Sequence, residues 1–391
     1  MMRKTTALIS VLAAFASAGA QTVSSVLGSV ERNNMALKAQ RTDAVAAVEE
    51  LKADNTLEDL SVEYSPFFRK GAAGVASSEL VVSQGFDFPT LYAARGKAAR
   101  LCADALYRQY AVERRDILLA AKNLCLDLVC QAQTLELLAT RQRNSEELLA
   151  LFTKKMAAGE ATAIEVNKIK MDLMGLKTEV AQAEAARQTA LESLAALNGG
   201  GVPAVDSLAY EPSALPADSA ALFAAAVASD CDVMAAEAAA AAEAQQLKVS
   251  RQGWIPKLEV GYRRNTDGSE ASNGFLVGAT IPLFSAARGT KAAKARHAGA
   301  RLQAAEARIA AESRARSLLG ELQKLRRARA AYDMDLMRQT LALLRRAVES
   351  GQISVTDYYV EADAVYTTMQ AAMLLERQYQ GVLAEITRNS L

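Results

Sequence analysis

Histidine is almost missing from this sequence, and that scarcity removes much of the chemistry a side chain can do near neutral pH. His297 stands alone in 391 residues, in a polar helical stretch with no second ligand beside it, so it reads as a solvated helix residue rather than a metal ligand. Cysteine adds little. Cys102, Cys125, Cys130 and Cys231 form no CxxC pair, and Cys125 and Cys130 fall on different faces of a helix, as small buried apolar residues would. No glycine-rich phosphate loop follows a strand, and no nucleophile elbow occurs. Acid pairs such as Glu49-Glu50 and Glu146-Glu147 read as solvated helix faces. No catalytic, cofactor-binding or metal residue is assigned.

An excess of one charge is also absent. Lys and Arg number 45 against 44 Asp and Glu, a net +1, so nucleic acid, which needs a basic face, is not an expected partner. After position 20 no run of 18 residues is free of charge, which argues against a transmembrane helix. A membrane passage would have to be made of strands. Proline and glycine, at 7 and 21, are few enough to leave most of the chain to the Ala, Leu, Glu, Lys and Arg that favour helix.

The start of the chain is an address. Arg3 and Lys4 precede an apolar run from Ala7 to Ala16, and Ala18-Gly19-Ala20 supplies a small-x-small cleavage pattern. Residues 1–20 are read as a signal peptide and Gln21 as the first mature residue. No cysteine follows the cut, so a lipid anchor is not expected.

The rest of the chain is one plan written twice. Phe88-Pro89 with Ala94-Arg95-Gly96 recurs as Ile281-Pro282 with Ala287-Arg288-Gly289, displaced by 193 positions. Gly159 with Glu165 recurs as Gly351 with Asp357, displaced by 192, and Leu60, Val62 and Tyr64 recur as Leu258, Val260 and Tyr262, displaced by 198. The stretch from Asn198-Gly199-Gly200-Gly201-Val202-Pro203 through Pro212 and Pro216 breaks helices, and Asp218 can cap the next one. The chain thus divides into a first repeat at 21–197, a linker at 198–218 and a second repeat at 219–391.

Each repeat begins with an Ala-rich helix, Val26 to about Asp54 or Ala220 to about Arg251. Two alternating stretches come next. Leu258, Val260 and Tyr262 share one face, as do Phe275, Val277, Ala279, Ile281 and Leu283, with a polar turn from Asn265 to Asn273 between them. The first repeat has Leu60, Val62 and Tyr64, then Leu80, Val82, Phe86 and Phe88, with Gln84 an exception on the apolar face. These predict four strands in two hairpins. From each hairpin a helical pattern runs to a glycine, Pro89 to Gly159 and Pro282 to Gly351, long enough for rods of about 100 Å at 1.5 Å per residue. Such rods imply coiled-coil or extended packing rather than a globular domain. Helices returning through Glu160 to Leu197 and Gln352 to Asn389 make antiparallel hairpins.

This plan resembles the TolC family of outer-membrane efflux proteins. Four local patterns carry the likeness: Asn33-Asn34-Met35-Ala36-Leu37, Trp254-Ile255-Pro256-Lys257-Leu258, Ile281-Pro282-Leu283-Phe284, and Gly351 to Asp357. The resemblance implies a mainly α fold with a small β part. Long antiparallel helical hairpins would form a trimeric periplasmic α-barrel, and four strands per protomer would enter a shared twelve-stranded outer-membrane β-barrel. It also implies a homotrimer that contacts outer-membrane lipid and works with a periplasmic adaptor protein and an inner-membrane transporter, as a passive exit duct for efflux or type I secretion. An open four-stranded sheet has unsatisfied edges, so closure with other protomers is also what lipid demands.

The resemblance implies site residues as well. Leu258, Val260, Tyr262, Phe275, Val277 and Ile281 are expected to face lipid, and Glu259 and Arg263 the lumen. Gly159 and Glu160, with Gly351, Gln352 and Ile353, would form the periplasmic tip that meets the adaptor. Asp357, six residues after the turn glycine, would line the pore constriction with Glu165 nearby. A second acid often found three residues later is replaced by Val360, with Glu361 adjacent. The tyrosine and arginine that help latch some members shut are matched by Val348 and Ile353, so the latch must differ. The competing expectation for Asp357 is a first-turn acid that stabilises its helix. The competing reading of the whole chain is a periplasmic coiled-coil scaffold or adaptor without a pore. The cargo, whether drug, metal ion or protein, is left open.

Overall fold

The computed structural model describes residues 22–71, 74–205, 207–211, 218–282 and 285–391. The expected signal peptide, Pro212 and Pro216 of the linker, and Leu283 and Phe284 lie outside the described residues. The elements run α1 (Val23–Asn33), α2 (Met35–Ala53), β1 (Ser61–Phe67), β2 (Ser77–Phe86), α3 (Pro89–Ala157), α4 (Ala163–Leu197), α5 (Ser219–Ala228), α6 (Cys231–Arg251), β3 (Lys257–Asp267), β4 (Glu270–Thr280), α7 (Ser285–Arg329), α8 (Met334–Glu349) and α9 (Val355–Ile386), closed by a 3-10 turn at Arg388–Ser390.

Helix breaks correct three expectations. The first helix of each repeat is two helices, because Asn34 and Asp230 leave the helical conformation to cap α2 and α6. Asn34 Oδ1 accepts from the Leu37 amide at 2.9 Å, and Asp230 Oδ1 accepts from the Asp232 and Val233 amides at 3.0 and 3.3 Å. The long stretch of the second repeat also breaks, at Asp333, whose side chain accepts from the amides of Asp335 and Leu336. Its counterpart α3 runs unbroken for 69 residues. Asp218 caps α5 through the Ala220 amide, as its sequence position predicts.

The chain forms two compact units, each drawing on both repeats. One comprises Met1–Asn33, Ala121–Pro212 and Tyr332–Gln380. Its core gathers Leu148, Phe152, Ile169, Val348, Tyr358 and Tyr366 from α3, α4, α8 and α9. Each such side chain withdrawn from water stabilises the unit by about 1.5–3 kcal/mol. In the same unit α1 is fastened to the linker, where Asn198 Oδ1 accepts from Ser29 Oγ at 3.0 Å and from Asn33 Nδ2 at 3.1 Å.

The other unit comprises Asn34–Ala120, Ser213–Ala331 and Gly381–Leu391. It holds an antiparallel sheet in the order β1-β2-β3-β4, whose outer strands β1 and β4 have no further partner in the sheet. The expected turn from Asn265 to Asn273 shrinks to Gly268 and Ser269. Asn265, Thr266 and Asp267 pair with Ser272, Ala271 and Glu270, so the polar residues extend the hairpin rather than end it. At Gly261 the β2 backbone comes so close that a Cβ would lie 2.6 Å from the Val82 carbonyl oxygen.

Ser219–Arg251 is long and apolar enough to cross a membrane by length and composition alone. Its middle, however, carries a charge cluster that requires a protein environment. Arg115 Nη1 and Nη2 grip Asp232 at 3.0 Å each, while Arg314 and Arg388 both reach Asp230 and Asp232. Burial opposes ionisation of Asp232, but the guanidinium groups of Arg115, Arg388 and Arg314 outweigh it and hold the carboxyl below its ordinary range. All four cysteines are free thiols, with Cys125 and Cys130 buried.

Candidate functional site

Strand register decides which side chains share a face. Val62, Val82, Tyr262 and Phe275 stand side by side across the four strands, and Val260 pairs with Val277 one row away. Leu258 lies opposite Ala279. Ile281, just beyond β4, is exposed like Val62, Val260, Tyr262, Phe275 and Val277, whereas Val82 is half-buried. The expected apolar face is therefore continuous, and it is bare: Phe275 is 93% exposed and Val277 82%. Gln84 sits on it opposite Val260, with its amide turned to the Glu58 and Gly85 carbonyls. The other face carries Glu259 and Arg263, with Arg263 Nε on Glu79 Oε1 at 2.8 Å.

The two glycine turns are built alike. Gly159 (φ 78°) and Gly351 (φ 73°) take the left-handed conformation that ends a helix cheaply only at glycine. The next amides close the turn backwards, Glu160 onto the Lys155 carbonyl and Gln352 onto the Ala347 carbonyl, both at 2.8 Å. Gly159, Glu160, Gly351 and Gln352 are exposed, whereas Ile353 is half-buried against the core of its unit. Val348 is fully enclosed in that core.

Both expected constriction acids serve the helix that starts after their turn. Thr162 caps α4, its hydroxyl accepting from the Glu165 amide at 3.3 Å, while Glu165 Oε2 accepts from the Thr162 amide at 2.7 Å. Ser354 Oγ accepts from the Asp357 amide at 3.0 Å and donates to Asp357 Oδ2 at 2.7 Å. The helix-start role for Asp357 is thus present, and it leaves the carboxylate exposed. Val166 and Val355, beside these acids, enter the same core and bring the two helix starts together.

Sequence reasoning missed the polar group behind these turns. Arg141 on α3 reaches Asp172 on α4 at 2.8 Å and Asp363 on α9 at 3.2 Å, with its guanidinium 5.0 Å above the Tyr366 ring. Asp172 also accepts from Ser145 Oγ at 2.8 Å, and Ser145 Oγ accepts from the Tyr359 hydroxyl at 3.3 Å. Burial works against the Arg141 charge, but Asp172, Glu179 and Asp363 more than offset it and raise its proton affinity. A signal was available. Arg141 and Ser145 interrupt the three-four spacing of Leu138, Leu148 and Phe152, and Asp172 interrupts that of Ile169 and Leu176. A polar residue on a buried stripe needs a buried partner.

Residues 222–388 match the outer membrane efflux protein family. Solved structures share the whole fold. A membrane protein from Pseudomonas aeruginosa superposes with a TM-score of 0.76 at 18% identity, over 94% of this chain and 93% of that one. The open state of the Neisseria gonorrhoeae MtrE outer membrane channel gives 0.75 at 15% identity, over 94% and 88%. The outer membrane protein VceC of Vibrio cholerae gives 0.71 at 16%, over 94% and 95%. No curated protein matches the sequence. The family match lies in the second half of the chain, and the solved structures, at 15–18% identity, extend the likeness of fold to nearly all of it.

Proposed function

We propose that this chain is an outer-membrane efflux duct with a long periplasmic extension, a homotrimer that closes a twelve-stranded barrel and serves as the passive exit for a periplasmic adaptor and an inner-membrane pump. The observation that carries this reading is the combination of an exposed apolar face with two unpaired edge strands. Lipid tolerates the face but not the edges, because unsatisfied backbone groups in hydrocarbon cost several kcal/mol each, as for any polar group buried without a partner. Each edge is satisfied if β1 of one copy pairs with β4 of the next.

On this reading Leu258, Val260, Tyr262, Phe275, Val277 and Ile281 face lipid, and Glu259 and Arg263 face the lumen. The repeats 21–197 and 219–391, joined by the linker 198–218, contribute matching halves to the duct wall. The turns at Gly159 to Glu160 and Gly351 to Ile353 form the adaptor-contacting tip, and Asp357 with Glu165 forms the constriction. The twin glycine turns support the tip assignment, because two like loops per protomer offer repeated contacts. Single cysteines in a background lacking the native four test the faces. Position 260 should label with a lipid-soluble reagent and 259 with a water-soluble one; the reverse pattern overturns the assignment. Crosslinks from position 353 to the adaptor test the tip, and crosslinks confined to the strands would refute it.

A further inference from the structure

We infer that Arg264 binds the phosphate of an outer-leaflet lipid. The inference rests on the reading that the Val260 and Tyr262 face meets lipid. Arg263 and Arg264 are neighbours in β3 and therefore project to opposite faces of the sheet. Arg263, on the polar face, is paired with Glu79. Arg264, on the apolar face, is exposed, and among the described residues it has no ion pair or hydrogen bond.

Nothing on its own face neutralises Arg264. Its row across the sheet is Tyr64, Leu80, Arg264 and Asn273, with no carboxylate, and Asn273 Oδ1 already accepts from the Tyr262 hydroxyl at 2.7 Å. The row towards the helices is Val62, Val82, Tyr262 and Phe275; the row towards the turn is Pro66, Ser78, Thr266 and Ala271. The face thus changes from apolar to polar at Arg264. A guanidinium is expensive in the middle of a bilayer and tolerated at its interface, where a phosphate is the anion at hand. Its planar fork matches phosphate oxygens two at a time, and Tyr64 and Tyr262 supply the amphipathic rings that favour the headgroup level. The Gly268 turn lies at the end of the hairpin remote from α6 and α7; with those helices in the periplasm, as the proposed function has them, the leaflet is the outer one.

The test uses the full-length protein in vesicles of phosphatidylcholine, with or without lipid A carrying both phosphates. Wild-type trimer should dissociate at a higher temperature with lipid A present, and R264Q should bind it about fivefold more weakly per protomer, as expected for one basic group at an anionic surface. R264K should keep part of the gain, and lipid A stripped of its phosphates should give none. An equal gain for wild type and R264Q overturns the assignment. So does a gain from phosphate-stripped lipid A equal to that from the intact lipid. Labelling at position 260 reports separately on the lipid face, so a water-accessible 260 would mark failure of the underlying reading instead.

Discussion

Ser354 and Asp357 hold each other at the start of α9, the serine oxygen accepting from the Asp357 amide at 3.0 Å and donating to its carboxylate at 2.7 Å. The acid proposed for the pore constriction is therefore also a structural residue, and the two duties separate by mutation. Ser354→Ala should lower stability by about 1 kcal/mol through the lost cap, with cation selectivity intact. Asp357→Asn keeps an oxygen for Ser354 but removes the charge. It should reduce cation selectivity and trivalent-cation block of trimers in planar bilayers while shifting the melting temperature little, since three converging carboxylates favour cations. Unchanged selectivity would leave Asp357 as a helix start only.

The turn glycines should behave alike. Nothing lies within 4 Å of a Cβ placed on Gly159 or Gly351, so Gly→Ala meets no clash and costs only left-handed backbone strain, about 1 kcal/mol at each. Thermal melts of the two single variants should agree with each other. A neutral substitution at either would mean that its turn can rearrange.

The arginine behind the turns predicts a non-additive pair. Arg141 and Asp172 side chains are each 10% exposed, so Arg141→Leu strands a buried carboxylate and should cost about 3 kcal/mol. Adding Asp172→Leu should recover much of that loss, because an apolar pair of similar volume is tolerated. Additive losses in denaturant titrations would show that the two residues act separately.

These elements also show what the sequence could and could not tell. The duplication, four strands, twin glycine turns and apolar face are periodic or carried by turn residues, and all are readable from spacing. The breaks at Asn34, Asp230 and Asp333 were hidden because Asn and Asp are tolerated on a polar helix face as well as at a cap. Only the neighbours' geometry separates the two uses. The Arg141 group was hidden for a related reason: its partners are 31 and 222 positions away.

Acid should loosen the cluster around Asp232. Its folded carboxyl is held below the ordinary value of 3.8, so its contribution is present above about pH 4 and is lost as pH falls through the lower folded value. Alkali acts chiefly on the other unit. Burial pushes the hydroxyls of Tyr358, Tyr359 and Tyr366 above their ordinary value of 10.0, so the unfolded chain ionises first and stability falls as pH rises past about 10. The buried thiols begin the alkaline loss earlier, because burial raises Cys102, Cys125 and Cys130 above their ordinary value of 9.0, so circular dichroism melts should be flat only between about pH 5 and pH 8. Arg115→Gln should bring the acid loss to higher pH.

The most direct measurement is conductance of protein extracted from outer-membrane fractions, with its migration compared before and after heating. The predicted result is a heat-sensitive trimer that opens discrete, cation-preferring channels in a planar bilayer, as closure of three four-stranded sheets requires. A monomer that leaves the bilayer silent would contradict it.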